Sequence, residues 1–463
     1  MPMNIWWIRR DLRLTDNPAL SAALAEDAGV TPVYILDPLL LTKPAPKRQA
    51  FLFNGLRALE QDLKKLGSGL IVREGDPQTE IPRLAAEVNA GKVFAEADIS
   101  PYARRRDEGL GKIIELHLVG GLGVHPVDAV CQANGKPYTV FTPYSRAWRA
   151  LPYADLSLPK PKWLAPTPNL NSAPLPETAS SAGFPAGEQE AQRRLNQFLE
   201  GTIFSYATDR DRLDLEGTSA LSPYLRFGMI SPRQVLSGAR RAIKESLESQ
   251  ARASCEAWIN ELIWREFYQS ILFHFPFVRS SAFRDNYQNL AWRHAPDDFR
   301  AWQTGRTGYP VVDAGMRQLA ETGWMHNRAR MITASFLVKH LLINWQEGEK
   351  WFMHHLVDGD LAANNGGWQW VAGTGTDAAP YFRIFNPTLQ GKKFDPDGMY
   401  VRRWVPELAH VPQSYIHTPW QMPLADQLAC NVELGKNYPY PIVEHDFARR
   451  RALEFFRSAK NFS

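Results

Sequence analysis

Over roughly its first 130 residues the chain alternates short apolar runs with amphipathic stretches, and beyond a proline-rich segment that alternation never returns. Residues 5–8, 33–36, 70–72, 93–95 and 124–127 read as strands. Residues 18–26, 48–66, 80–89 and 104–116 read as the helices between them. Such alternation builds a parallel sheet covered on both faces. The first strand runs into Arg9-Arg10-Asp11-Leu12-Arg13, with no Gly-x-Gly-x-x-Gly turn. The expected fold is therefore a Rossmann-like α/β domain without the dinucleotide fingerprint, and a dinucleotide would belong elsewhere in the chain.

From residue 151 to about 187 the pattern gives way to Pro, Ser, Ala and Thr, including Pro159-Lys160-Pro161 and Pro166-Thr167-Pro168. That composition makes a stiff connector laid across a surface. Helical spacing then takes over at 190–199, 232–248, 255–274, 311–321, 328–342 and 347–356. The expected division is an α/β domain over 1–130, a connector over 131–187 and an all-α domain over 188–463.

A chain of 463 residues exceeds one typical core, which agrees with two domains. No apolar run approaches the roughly 20 residues that span a bilayer, and the N-terminus enters a strand without a signal-peptide pattern. Cys131, Cys255 and Cys430 are far apart and lack metal-ligand spacing, so neither a disulfide framework nor a zinc site is expected. The expectation is a soluble cytoplasmic protein. Its net charge of +4 permits nucleic-acid binding through a local patch without demanding it. Fifteen tryptophans are unusual, and core packing accounts for most of them.

Several clusters have a chemical reading beside a structural one. Glu261, Trp264, Arg265 and Tyr268 fall at i, i+3, i+4 and i+7, so one helix face presents a carboxylate, an indole, a guanidinium and a phenol. That face either packs, with a helix-stabilising Glu–Arg pair, or grips a base edge against a stacking wall. Thr218-Ser219-Ala220-Leu221-Ser222 sets hydroxyls before a helical stretch, which suits a phosphate or a plain N-cap. Asp358-Gly359-Asp360 places two acids around a glycine, to hold a ribose or a ring N–H, or to cap the following turn. No third ligand is spaced for a metal. Arg328 and Arg330 point to different helix faces, one toward a phosphate and one toward an internal acid, or both toward solvent.

The densest stretch is 324–387. It reads Trp324-Met325-His326-Asn327-Arg328-Ala329-Arg330-Met331, then Asp358-Gly359-Asp360-Leu361-Ala362-Ala363-Asn364-Asn365-Gly366-Gly367-Trp368-Gln369-Trp370, and closes on Tyr381-Phe382-Arg383-Ile384-Phe385-Asn386-Pro387. Amides and arginines beside tryptophans suit a pocket for flat, polar-edged rings and phosphates. Together with Trp7-Ile8-Arg9-Arg10-Asp11-Leu12-Arg13-Leu14-Thr15-Asp16-Asn17-Pro18, Glu216-Gly217-Thr218-Ser219-Ala220-Leu221-Ser222, residues 258–268 and Thr307-Gly308-Tyr309-Pro310-Val311-Val312-Asp313-Ala314, it resembles the DNA photolyase and cryptochrome family over nearly the whole chain.

The resemblance implies FAD in the helical domain. Tyr206, Thr218, Ser219, Ala220, Leu221 and Ser222 would surround its phosphates and ribityl chain. Trp258, Arg265, Arg330, Asp358, Gly359, Asp360 and Asn364 would surround its rings, with Asn364 facing flavin N5. Asn327 and Met331 stand where (6-4) photolyases carry a His pair, and the chain has no long cryptochrome-type tail. It is thus most similar to class I-like cyclobutane pyrimidine dimer photolyases, which use excited reduced FAD to pass an electron to a flipped-out dimer. The alternative is a blue-light receptor using the same flavin.

In that likeness Glu261, Asn327, Met331 and Asn364 are the catalytic candidates. Glu261, Trp264, Asn327, Met331 and Trp370 form a lesion pocket, and Arg210, Arg328, Gln390 and Lys392 face DNA phosphates. Trp368, Trp345 and Trp292 match an electron-supply chain. UV-damaged DNA is the expected partner of a monomer. Arg48 and Asp98 resemble the site of a second, antenna chromophore, 8-hydroxy-5-deazaflavin or FMN, because Tyr102-Ala103 replaces the Asn-Glu of the folate type. Asp98 also reads as a helix cap and Arg48 as a solvated helix start.

Overall fold

The structure, a computed structural model, describes residues 3–26, 28–42, 45–153, 157–178 and 183–458. Parts of the connector (154–156 and 179–182) and the last five residues of the expected helical domain lie outside this range. The chain divides into two compact units, one of Met1–Ala207 with Thr218–Pro276, the other of Thr208–Gly217 with Phe277–Ser463.

In the first unit β1 (Met3–Ile8), β2 (Gly29–Leu36), β3 (Ile71–Glu74), β4 (Ala90–Glu96) and β5 (Leu116–Val119) form one parallel sheet in the order β3-β2-β1-β4-β5. β1 is central, and Ile5, Trp6, Trp7 and Ile8 are all buried, which is why this strand shows no polar alternation. Its arginine-rich continuation is structural. The Arg13 guanidinium, 2% exposed, donates to Glu96 at the end of β4, to the Asp16 carbonyl and to the Gly228 carbonyl. Asp11 accepts from the Trp6 indole at 2.9 Å and from Asn17.

The sheet departs from expectation at its fifth strand. Residues 124–127 are a bend leading into a turn, and β5 occupies Leu116–Val119, where a helix was expected to end; that helix, Pro101–Leu110, stops earlier. The backbone N–H groups of Val124 and His125 are taken by the Glu266 carboxylate, at 2.7 and 3.5 Å, and so are not available to a ladder. The connector covers the free edge of β3: Ala173 donates to the Val72 carbonyl at 2.8 Å, and Ser172 accepts from the Val72 N–H at 3.0 Å. A paired edge of this kind removes a site for aggregation.

Beyond the sheet, described helices of the first unit include Glu188–Glu200, Ser222–Phe227, Pro232–Glu245 and Ser249–His274. In the second unit the described residues form helices and turns, with no sheet. Its main core holds Trp302, Leu337, Trp345 and Trp368. The stretch expected as one helix over 328–342 is an α-helix, Asn327–Ser335, that runs into a π-helical turn, Phe336–His340.

Candidate functional site

In the first unit the chemistry lies on the Ser249–His274 helix and the hydroxyl-bearing segment before Ser222–Phe227. Trp264 is half-buried, and one face is stacked on Phe141 with centroids 3.7 Å apart and planes 3° from parallel; Tyr268 lies 5.5 Å away, tilted. Glu261 is half-buried one turn earlier. Arg265 donates to the carbonyls of Leu122 (2.6 Å) and Leu225 (3.2 Å), so this guanidinium fixes backbone as well as bordering the candidate face. Trp258 is buried against Phe198 at 5.0 Å, and Tyr206 lies 6.1 Å from the same ring.

The N-cap of Ser222–Phe227 is Leu221, and no side chain caps the helix. Thr218 and Ser219 are therefore not its caps. Ala220, immediately before, has φ +48°, a left-handed conformation that costs a non-glycine residue about 1–3 kcal/mol.

Asp98 and Arg48 also lie in this unit. Asp98 accepts from the Ser100 N–H at 2.8 Å and lies 3.9 Å from Arg10. Burial opposes its charge, but Arg10 and the Ser100 N–H hold it below the usual carboxylate range. The cap of Pro101–Leu110 is Ser100. Arg48 is half-buried in the first turn of Pro46–Lys65.

In the second unit Arg330 pairs with the buried Asp358 at 2.8 Å and donates to the Met325 carbonyl. Asp360 caps Leu361–Ala372, its Oδ1 accepting from Ala362 and Ala363 N–H. The two acids around Gly359 thus have separate tasks: Asp360 caps the following turn, and Asp358 pairs with Arg330. On that helix Asn364 donates to the Glu349 carbonyl at 3.1 Å, which orients its side chain.

Asn327 and Met331 sit one turn apart, with Asn327 exposed, Met331 half-buried and their Nδ2 and Sδ 3.9 Å apart. Their helix is capped by His326, whose Nδ1 accepts from the Arg328 N–H at 3.1 Å. Burial pushes the His326 ring down to about 4, keeping it neutral as an acceptor requires. Trp370 is half-buried, and the Arg383 guanidinium lies 5.7 Å from its ring centroid.

Of the phosphate-side candidates, Arg328 lies against the end of the Pro387–Phe394 helix. Arg328 is held bidentately by Asp211 and lies 4.4 Å from the Phe394 ring, while Leu213 donates to the Phe394 carbonyl. Arg210 precedes Asp211 in the chain, and the Pro387–Phe394 helix carries half-buried Gln390 and exposed Lys392. Neither Arg328 nor Arg330 is a solvated cation; each has an acid partner. Trp345 and Trp368 are buried in one core, with half-buried Trp292 against it, but no ring contact joins the three among the described residues.

Comparison with known proteins decides the family. Residues 4–165 match the model described as DNA photolyase, and residues 258–458 match the FAD binding domain of DNA photolyase. The deoxyribodipyrimidine photo-lyase of Escherichia coli is 41% identical, with 99% of each chain covered.

This chain belongs to the DNA photolyase family.

Photolyase structures are correspondingly close. A bacterial class III photolyase from Agrobacterium tumefaciens superposes with a TM-score of 0.93 at 39% identity, covering 100% of this chain and 98% of its own. A Synechocystis cryptochrome gives 0.90 at 30% identity, covering 98% and 99%. An archaeal photolyase from Sulfolobus tokodaii, with two FAD molecules, gives 0.84 at 30%, covering 98% and 100%. Within this photolyase-family chain, sequence reasoning gave no role to Asp211, His326, Phe141 or Arg383. Only His326 carried a local signal, a polar side chain immediately before a helix.

Proposed function

We propose that the chain is a light-driven enzyme that splits cyclobutane pyrimidine dimers in DNA, with Tyr206, Thr218, Ser219, Ala220, Leu221, Ser222, Trp258, Arg265, Arg330, Asp358, Gly359, Asp360 and Asn364 as the residues that would hold FAD. The observation that carries it is the Asn327–Met331 face, on a helix fixed by a buried neutral cap and flanked by two paired arginines. Bound FAD supplies the light-absorbing one-electron chemistry. The chain's own residues bind and orient the lesion. Extruding a poorly paired dimer costs a few kcal/mol. Stacking on Trp264 and Trp370 offsets roughly 1–3 kcal/mol per base. Phe141 is stacked on one face of Trp264, which holds the ring still. Glu261 and Asn327 hydrogen-bond the base edges, the Glu261 bond being the stronger because it is charge-assisted.

Arg210, Arg328, Gln390 and Lys392 contact phosphates in this reading. Arg48 and Asp98 hold an antenna ring, 8-hydroxy-5-deazaflavin or FMN; the two FAD molecules of the Sulfolobus protein support a flavin-like ring in a second site. The division into 1–130, 131–187 and 188–463 is proposed as the functional one, antenna first and FAD last. The protein acts as a cytoplasmic monomer; among the described residues no helix is long and apolar enough to cross a membrane. Similarity to a cryptochrome supports a second reading, a blue-light receptor. Loss of dimers from UV-irradiated plasmid under blue light separates the two: a receptor leaves them in place.

A further inference from the structure

Lys339 is 1% exposed, on the π-helical turn Phe336–His340. Its Nζ donates to the Ala372 carbonyl at 2.8 Å and lies 3.6 Å from the centroid of the Phe456 ring. Among the described residues no carboxylate pairs with it. Its negative partners are the C-terminal end of the Leu361–Ala372 helix and the face of an aromatic ring. A buried amine so weakly compensated gives up its proton readily, and burial pushes Lys339 down to about 7.

The surrounding elements carry little other charge toward it. The Leu361–Ala372 helix has no ionisable side chain. The His445–Ser458 helix directs His445 and Arg451 to His340, at 2.9 Å to its Nε2 and 2.5 Å to its carbonyl, and burial keeps His340 neutral by pushing it down to about 3. Arg328 and Arg330 are paired with acids, and Glu349 of Trp345–His355 accepts from Asn365. Tyr287 and Tyr381 are the phenols around Phe456.

Phe456 is also 6.0 Å from the centroid of Trp292, so one ring touches both the buried amine and the outermost tryptophan of the proposed electron supply. We propose that Lys339 is an electrostatic gate on electron loss from Trp292. The inference rests on reading Trp368, Trp345 and Trp292 as that supply. In the gated step one electron passes from Trp292 to oxidised Trp345, restoring Trp345 and leaving a Trp292 cation radical. A thiol in solution then returns one electron to Trp292 and becomes a thiyl radical on losing its proton. A charged Lys339 opposes the positive charge on Trp292; a neutral Lys339 does not.

The test is photoreduction of the holoenzyme's oxidised FAD under blue light with dithiothreitol, from pH 6 to 9. The wild-type rate should rise roughly tenfold across neutral pH, the effect of one charge at ~10 Å through an effective dielectric of ~20. Lys339→Met should hold the high rate and Lys339→Arg the low rate, neither with a step, while all three repair dimers equally once chemically reduced. Thermal unfolding supplies a readout without light. The folded amine titrates near 7 and the unfolded one near 10.4, so between them the unfolded state binds more protons and wild-type stability gains with pH. The melting-temperature advantage of Lys339→Met should therefore shrink from pH 7 to pH 10. A wild-type profile without a step, the same step in Lys339→Met, or a constant melting-temperature difference would overturn the gate. Wild-type enzyme that is not photoreduced at any pH would remove the tryptophan supply itself, and the gate with it.

Discussion

Gly348 leaves the room that the Trp368 indole fills: a Cβ there would lie 2.6 Å from Leu337 Cδ2 and closer still to the benzo edge of Trp368. Gly348 follows Trp345 by three residues on the Trp345–His355 helix, so this contact is where the helices bearing the two tryptophans meet. Gly348→Ala should destabilise by about 1–3 kcal/mol through overpacking, and it should slow photoreduction of oxidised FAD by displacing Trp368. Trp345→Phe should block photoreduction outright while chemically reduced enzyme still repairs. Melting temperature and light-driven flavin bleaching check both; unchanged bleaching in Trp345→Phe would refute the chain.

Arg328→Ala should weaken binding to dimer-bearing duplex and reduce the slope of log K against log salt by about one contact. The same change leaves the Asp211 carboxylate without its bidentate partner beside the DNA. Adding Asp211→Asn should then recover part of the lost affinity. Titrations of labelled duplex at several salt concentrations measure it, and a slope equal to wild type would return Arg328 to a purely structural role.

Acid should destabilise the fold through His326. As pH falls, the unfolded ring takes up a proton near 6.5, whereas the buried ring stays neutral to about 4. The unfolded state binds more protons in that window, so stability falls with falling pH, by about 3 kcal/mol at most. His326→Asn keeps a capping acceptor without the titration. Its melting temperature should drop less than wild type between pH 6.5 and 4; parallel curves would contradict the assignment.

Glu261→Ala should retain FAD and lose much of the repair yield per absorbed photon, because the base edge loses its charged acceptor. Flavin absorbance together with dimer loss under limiting light gives that yield. Equal yields would leave Glu261 as part of a packing face.

The parallel sheet and the helical half were legible because burial writes them into local patterns: the unbroken apolar run of β1 and the helical spacing beyond residue 188. β5 was not, since Leu116–Val119 is only partly buried. Residues 124–127 look like a strand because nothing in that run signals Glu266, which lies about 140 positions away and takes the Val124 and His125 N–H groups. The candidate site residues follow from a family pattern in the sequence, but their partners do not. The Asp211–Arg328 and Arg330–Asp358 pairs are tertiary, and a buried cation such as Lys339 looks like any surface lysine in a helical stretch.

Purified, chemically reduced holoenzyme should restore a duplex carrying one defined cyclobutane thymine dimer under blue light, with no repair in the dark. A flavin-loaded protein that binds and bleaches normally, yet leaves the dimer intact after saturating illumination, would contradict it.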